Sequence, residues 1–214
     1  GWGPHQLDQK LEQLNRIIVQ LNTGNGPDIL GVCEVENAHV LNLLIQKMGA
    51  LNRNYALVHA DSDDRRGIDV AFIYDADLFT IEEEQGEAKV FDHFVLRRTA
   101  TRDILQVNFL TKHSQEQRRL VVIANHWPSR SGGQYESEGY RQIAGETLSY
   151  FHQRIREIHG DDTPVLAMGD FNDEPFNESL TRFALALRSR ARVVRGHIPY
   201  FLNLMWPLMD YGTA

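Results

Sequence analysis

Apolar residues recur along this chain in two rhythms, and the switching between them predicts its elements. Leu7, Leu11, Leu14, Ile17, Ile18 and Leu21 return every three or four positions, the period of one helix face. That helix is expected to end at Gly24-Asn25-Gly26-Pro27, which cannot continue it. Val40, Leu41, Leu44, Met48 and Leu51 mark a second helix. The longest stripe, Tyr140, Ile143, Ala144, Thr147, Leu148, Phe151, Ile155 and Ile158, predicts a third over 138–159 and reads as core packing. Leu180, Phe183, Ala184 and Leu187 suggest one more. Between them, short apolar runs bounded by turn residues predict strands at 29–33, 55–59, 68–74, 78–81, 89–96, 103–111, 120–124 and 165–168.

Several strands arrive as neighbours, in hairpins over 78–96 and 103–126, and others arrive between helices. A doubly wound parallel sheet does not produce that order. Two packed, largely antiparallel sheets with helices on their outer faces do. The acidic run Glu82-Glu83-Glu84 reads as a solvated turn. No internal repeat, low-complexity tract or linker divides the chain, and 214 residues at 42% hydrophobic content fill one core. A single domain over 1–214 is expected.

The strand borders carry the chemistry. The run Val165-Leu166-Ala167-Met168 reads as a buried strand and stops at Gly169-Asp170-Phe171-Asn172. In an extended backbone the period of two puts Asp170 and Asn172 on one side. Taken alone, this pair is also what an Asx turn before a helix looks like. It has company, however. Another strand ends at Glu34, with Glu36 two residues on. A third is entered through Arg65-Arg66-Gly67 and carries Asp69; a fourth leaves through Asn125-His126-Trp127-Pro128-Ser129-Arg130 and then Gly132-Gly133.

Taken in order, these segments resemble the endonuclease/exonuclease/phosphatase superfamily, whose members include DNase-I-like nucleases, apurinic endonucleases, inositol phosphatases and sphingomyelinases. The motif Gly169-Asp170-Phe171-Asn172 is its most specific mark, and Glu34 matches its metal-binding glutamate. The segments 65–74 and 125–133 resemble a bacterial branch. The likeness runs over about residues 7 to 212, and four motifs in sequence are far more specific than one. It implies a four-layer α/β sandwich of two packed mixed or antiparallel β-sheets flanked by α-helices, with the site at one end of the strands.

The resemblance also implies roles. Glu34 is the expected metal ligand, a hard oxygen suited to Mg²⁺ or Mn²⁺. Asp170 is expected to hold or activate the attacking water, Asn172 to grip the phosphate, and His126 to act as an acid or phosphate-contacting imidazole. Asp69 is read as a carboxylate that holds the His126 ring. Arg66 and Arg130 are candidate phosphate clamps, suited by the planar fork of the guanidinium, and Asn125 is a third phosphate contact. A regular strand points Asn125 and His126 to opposite faces, so one of this pair is expected to be structural. Glu36 is a second ligand or a charge at the next helix's N-terminus, and the latter is preferred.

The chain departs from the family pattern at both ends. It opens at Gly1-Trp2-Gly3 without the strand that carries an asparagine, and it stops at Tyr211-Gly212-Thr213-Ala214 before the expected Asp-His pair. The reading is a fragment lacking both terminal strands, catalytically weak or dead as it stands.

Charge and composition narrow the rest. A net charge of −7 does not suit binding of duplex nucleic acid through a broad basic surface, but a cation at the site supplies the positive field locally. Arg188, Arg190, Arg192 and Arg195 lie either near the site loops or on a solvated helix end. One cysteine, Cys33, rules out an internal disulfide. No run reaches the ~20 apolar residues of a membrane span, and the compartment, cytoplasmic or secreted, stays open. The expected activity is divalent-metal-dependent phosphodiester hydrolysis, foremost by a nuclease. The alternatives are a phosphatase or phospholipase of the same fold, or a phosphate-binding module without catalysis. The expected partner is nucleic acid or another phosphodiester, with no protein partner and a monomeric state.

Overall fold

The computed structural model describes residues 3–59, 69–84, 87–93, 95 and 104–209. In chain order the elements are α1 (Pro4–Ile18), β1 (Ile29–Val35), α2 (Ala38–Lys47), β2 (Tyr55–His59), β3 (Asp69–Asp75), β4 (Phe79–Ile81), β5 (Val90–His93) and β6 (Ile104–Thr111). They continue with β7 (Arg119–His126), α3 (Gln134–His159), β8 (Val165–Asp170), β9 (Ala186–Leu187), α4 (Arg190–Arg195), β10 (Phe201–Leu202) and α5 (Trp206–Met209).

Two sheets form the centre. One runs β1-β3-β2, antiparallel throughout; the other runs β8-β7-β6-β4. In the second sheet β7 pairs antiparallel with β6 and parallel with β8. Their facing surfaces bury Val58, Val70, Phe72, Leu105, Val107, Phe109, Val122 and Ala124. Helices α1 and α2 cover the outer face of the first sheet through Leu11, Ile18, Leu41 and Leu44 against Ala71 and Ile73. Helix α3 covers the second through Ala144, Leu148 and Ile155 against Val121 and Ile123. The result is the expected α/β/β/α sandwich. Among the described residues no helix is long and apolar enough to cross a membrane.

Four local expectations change. Strands β4 and β5 do not form a hairpin with each other. Both pair with β6, at Phe79↔Thr111 and Val90↔Val107, as one interrupted edge strand. Glu82, at the interruption, is not in a solvated turn. It accepts from Arg119 at 2.6 Å and Asn108 at 3.0 Å, and the Arg119 hydrogen bonds hold its carboxyl at about 2, against an ordinary 4.5. The helix expected through Leu187 shrinks to a single wide turn, Ser179–Phe183, followed by left-handed Leu185 and β9. Gly145 of α3 explains it, because a Cβ there would sit 2.3 Å from the Ser179 carbonyl, so the turn is shaped by close packing against α3. Strand β8 is half-exposed, not buried: among the described strands it is the sheet's edge, and Leu166 is exposed.

Candidate active site

Strands β1, β7 and β8 pack against one another and bring three predicted residues to one mouth. Gly31 of β1 allows the approach, since a Cβ there would lie 2.8 Å from Met168 Sδ of β8. On the parallel pair β7/β8, His126 is the register partner of Asp170, and neighbouring strands lie about 4.8 Å apart. His126 Nε2 is 3.7 Å from Glu34 Oε1. The imidazole is 3% exposed and the carboxylate 64%, so the histidine forms the floor and the glutamate the rim.

Glu34 reaches that rim through a bulge. The register skips it between Cys33↔Val70 and Val35↔Asp69, and its φ is +60°. A left-handed non-glycine residue costs about 1–2 kcal/mol, and strain of this kind concentrates at functional positions. Glu36, exposed, precedes Asn37, whose side chain caps α2 by accepting from the Val40 amide at 3.1 Å. That placement suits the preferred reading of a charge at a helix start.

The Asp170 loop is held by backbone and buried polar contacts. Gly169 has φ +138°, and a Cβ there would fall 1.9 Å from the Asn125 carbonyl oxygen. Only glycine fits between β7 and β8 at this point. Asp170 Oδ1 accepts from the Asn172 amide at 2.9 Å, and the Trp127 amide donates to the Asp170 carbonyl at 2.8 Å. Trp127 and Phe171 meet edge to face, with centroids 4.9 Å apart.

Several predicted roles need correction. The alternation argument for Asp170 and Asn172 does not hold, because the strand ends at Asp170 and Asn172 is left-handed at φ +51°. The two meet through a turn, and the Asn172 amide group donates to the Trp127 carbonyl at 2.9 Å. Asn125 is not a phosphate contact: it is wholly buried, accepting from the Trp127 indole at 3.1 Å and donating to the Met168 carbonyl at 3.4 Å. It is the structural member of the pair with His126. Arg130, partly exposed, is tied to the loop: its Nε donates to the Asn172 carbonyl at 2.7 Å, with Asp173 at 3.3 Å and Glu174 at 3.5 Å. Arg66 lies outside the described residues. Asp69 is the first residue of β3, and its side chain lies outside what is described.

Sequence reasoning missed Arg141. Its Nε stands 2.8 Å from Asp173 Oδ2, with both side chains buried, and its remaining nitrogens reach Ser137 Oγ at 2.6 Å and the Pro128 and Gln134 carbonyls. Ser179 Oγ donates to the same Asp173 oxygen at 2.6 Å. One signal was present. The buried face of α3 is Arg141, Ala144, Gly145, Leu148, His152 and Ile155, so an arginine occupies a core position and needs a buried acid.

Glu34 is the residue at the rim that would hold a divalent cation. Its carboxylate is an exposed hard oxygen beside the His126 imidazole. No group of three or more histidine, cysteine, aspartate or glutamate side chains is placed to hold an ion among the described residues. One carboxylate with retained waters is how Mg²⁺ is commonly bound.

The sequence profile of the Endonuclease/Exonuclease/phosphatase family matches residues 1–214. No curated protein matches significantly. The fold is similar to the catalytic domain of human Nocturnin with bound sulfate anion, at 19% identity and TM-score 0.58, covering 87% of this chain and 67% of that one. It is similar to truncated Caenorhabditis elegans TDP2, at 16% identity and TM-score 0.57, over 84% and 60%. A mannosyl-6-phosphatase from Bacteroides thetaiotaomicron follows at 17% and 0.55, over 81% and 60%. The chain thus spans 60% of the length of the last two.

Proposed function

This chain belongs to the endonuclease/exonuclease/phosphatase family, whose members are hydrolytic phosphoesterases, and we propose that it is a divalent-metal-dependent phosphodiesterase acting on nucleic acid. The observation that carries this is the convergence at one mouth of Glu34, His126 and Asp170 from three strands. Phosphodiester hydrolysis needs neutralisation of the phosphoryl oxygens, a positioned water and a proton carrier.

Glu34 is the residue that would hold Mg²⁺ or Mn²⁺, and such an ion supplies charge neutralisation at the phosphoryl oxygens. Asp170, exposed and oriented by the Asn172 amide, orients the attacking water. His126, fixed on the floor of the mouth, contacts the phosphate or carries the proton. Asn172 anchors the loop through Trp127 and lies close enough in sequence to Asp170 to contact the ester. Asp69 and Arg66 keep the roles expected of them from the sequence, holder of the His126 ring and phosphate clamp; Arg130 serves as a loop brace.

The test is turnover of plasmid DNA, single-stranded RNA and a generic phosphodiester by the full-length protein, with Mg²⁺ or EDTA, beside Asp170→Ala. Metal-dependent cleavage lost in the variant is the expected result. Turnover in EDTA, or turnover that survives the substitution, overturns the mechanism. Cleavage of a phosphomonoester alone would instead move the substrate toward that of the Bacteroides neighbour.

A further inference from the structure

The segment 179–209 contains five arginines and His197 and no carboxylate. The whole chain carries −7, which leaves −12 for the rest once that +5 is set aside. Arg182 pairs with Glu178 at 3.8 Å. Arg188, Arg190, Arg192 and Arg195 have no acidic partner among the described residues. Arg190, Arg192 and Arg195 belong to α4, which packs on β9 and β10, and all four are exposed.

Aromatic rings connect this basic face to Phe176, on the segment that follows Asp170. The Arg188 guanidinium lies 5.1 Å from the centre of the Trp206 ring. Trp206 in turn stands 6.5 Å from Phe176, which is 55% exposed and lies six residues beyond Asp170. Arg192, Arg195, His197 and Tyr200 line a groove of about 400 Å³ with no carboxylate in its wall.

From this arrangement we propose that Phe176, Trp206, Arg188 and the Arg192–Arg195 groove form a track that binds single-stranded nucleic acid and leads it to the Asp170 loop. Its purpose rests on the phosphodiesterase reading above. Its binding chemistry rests on the charge and the rings alone. Four exposed arginines within eight residues carry like charge without an acidic partner among the described residues, and a phosphate backbone neutralises it while releasing counterions. Phe176, the exposed ring of the pair, selects unstacked bases, which a duplex does not offer. The acidic remainder of the chain disfavours the broad contact that a duplex would require. A membrane surface fits less well, because α4 and α5 are only six and four residues long and interfacial anchoring takes a longer amphipathic helix.

The experiment is fluorescence anisotropy with a labelled single strand of about 20 nucleotides, the full chain and EDTA. Four phosphate contacts predict a slope of log affinity against log salt of about −3. Arg192→Glu combined with Arg195→Glu is expected to weaken binding at least about tenfold and to halve that slope, roughly, while circular dichroism stays unchanged. Phe176→Ala is expected to weaken binding about fivefold or more with the slope retained, since stacking releases no ions. Should the charge reversal misfold, Arg192→Gln with Arg195→Gln gives the same reading at smaller amplitude. Arginine variants that bind like the parent overturn the proposal. So does equal or tighter binding of a duplex of the same length, or arginine-dependent binding of phosphatidylserine vesicles without binding of the strand. Binding is read in EDTA and hydrolysis in Mg²⁺, so arginine-dependent binding without any Mg²⁺-dependent hydrolysis sinks only the phosphodiesterase reading. Intact hydrolysis without arginine-dependent binding sinks only the track.

Discussion

Arg141 and Asp173 form a buried ion pair, Nε to Oδ2 at 2.8 Å, which joins helix α3 to the loop that carries Asp170. Breaking such a pair on one side strands a charge away from water, at a cost of about 3–5 kcal/mol. Arg141→Met is therefore expected to lower the unfolding free energy by about that amount in urea denaturation. Adding Asp173→Leu should restore much of the loss, because the stranded carboxylate is then gone. A double variant no more stable than the single one would show that the pair acts through shape, not charge.

Gly169 should tolerate no side chain. In Gly169→Ala the new Cβ meets the Asn125 carbonyl oxygen at 1.9 Å, and backbone in a parallel strand pair cannot step aside as a flexible side chain can. A loss of more than about 3 kcal/mol is expected. Because the same contact sets Asp170 beside His126, a folded fraction should also lose turnover. A melting temperature within a degree or so of the parent would contradict the geometry.

Glu34 gives the opposite sign. Its left-handed backbone is strained, and Glu34→Gly removes that strain together with the carboxylate. Stability in EDTA is expected to stay level or rise by about 1 kcal/mol, after subtracting the chain entropy glycine loses on folding. Added Mg²⁺ should raise the melting temperature of the parent by mass action and leave the variant unmoved. A variant that still responds to Mg²⁺ would place the ion elsewhere.

Burial in the α3 core and the nearby Arg156 push the His152 imidazole down to about 4 from an ordinary 6.5. The folded state therefore holds this ring neutral over a range where the unfolded chain protonates it. Its contribution is fully present above pH 6.5 and is lost as pH falls toward 4, on the order of 3 kcal/mol in all. His93 and His159, also lowered chiefly by burial, add with the same sign. His152→Leu should flatten its share of the stability profile between those pH values, as followed by denaturant midpoints. An unchanged slope would mean that the ring is solvated.

Glu82 shows how a correct local reading goes astray. Three consecutive glutamates have the composition of a solvated turn, and Glu83 and Glu84 are exposed. Their neighbour is drawn inward because β6 and β7 present Asn108 and Arg119 to it, from 26 and 37 residues away. No window of local sequence contains those partners.

What the chain settled unaided is what depends on short-range order: the two apolar periods, the strand ends that carry Glu34, His126 and Asp170, and the motif likeness that named the fold. Hydrophobic periodicity is a local property, and each strand's border residues follow from where its apolar run stops. Tertiary structure alone decided which polar groups spend their hydrogen bonds on the protein itself. Asn125 turned inward to Trp127, Arg130 was claimed by the Asp170 loop, and Arg141 found Asp173 across the α3 interface. Side-chain type states how many bonds a group can make, but its partners come from distant segments, and only the packed chain brings them within reach.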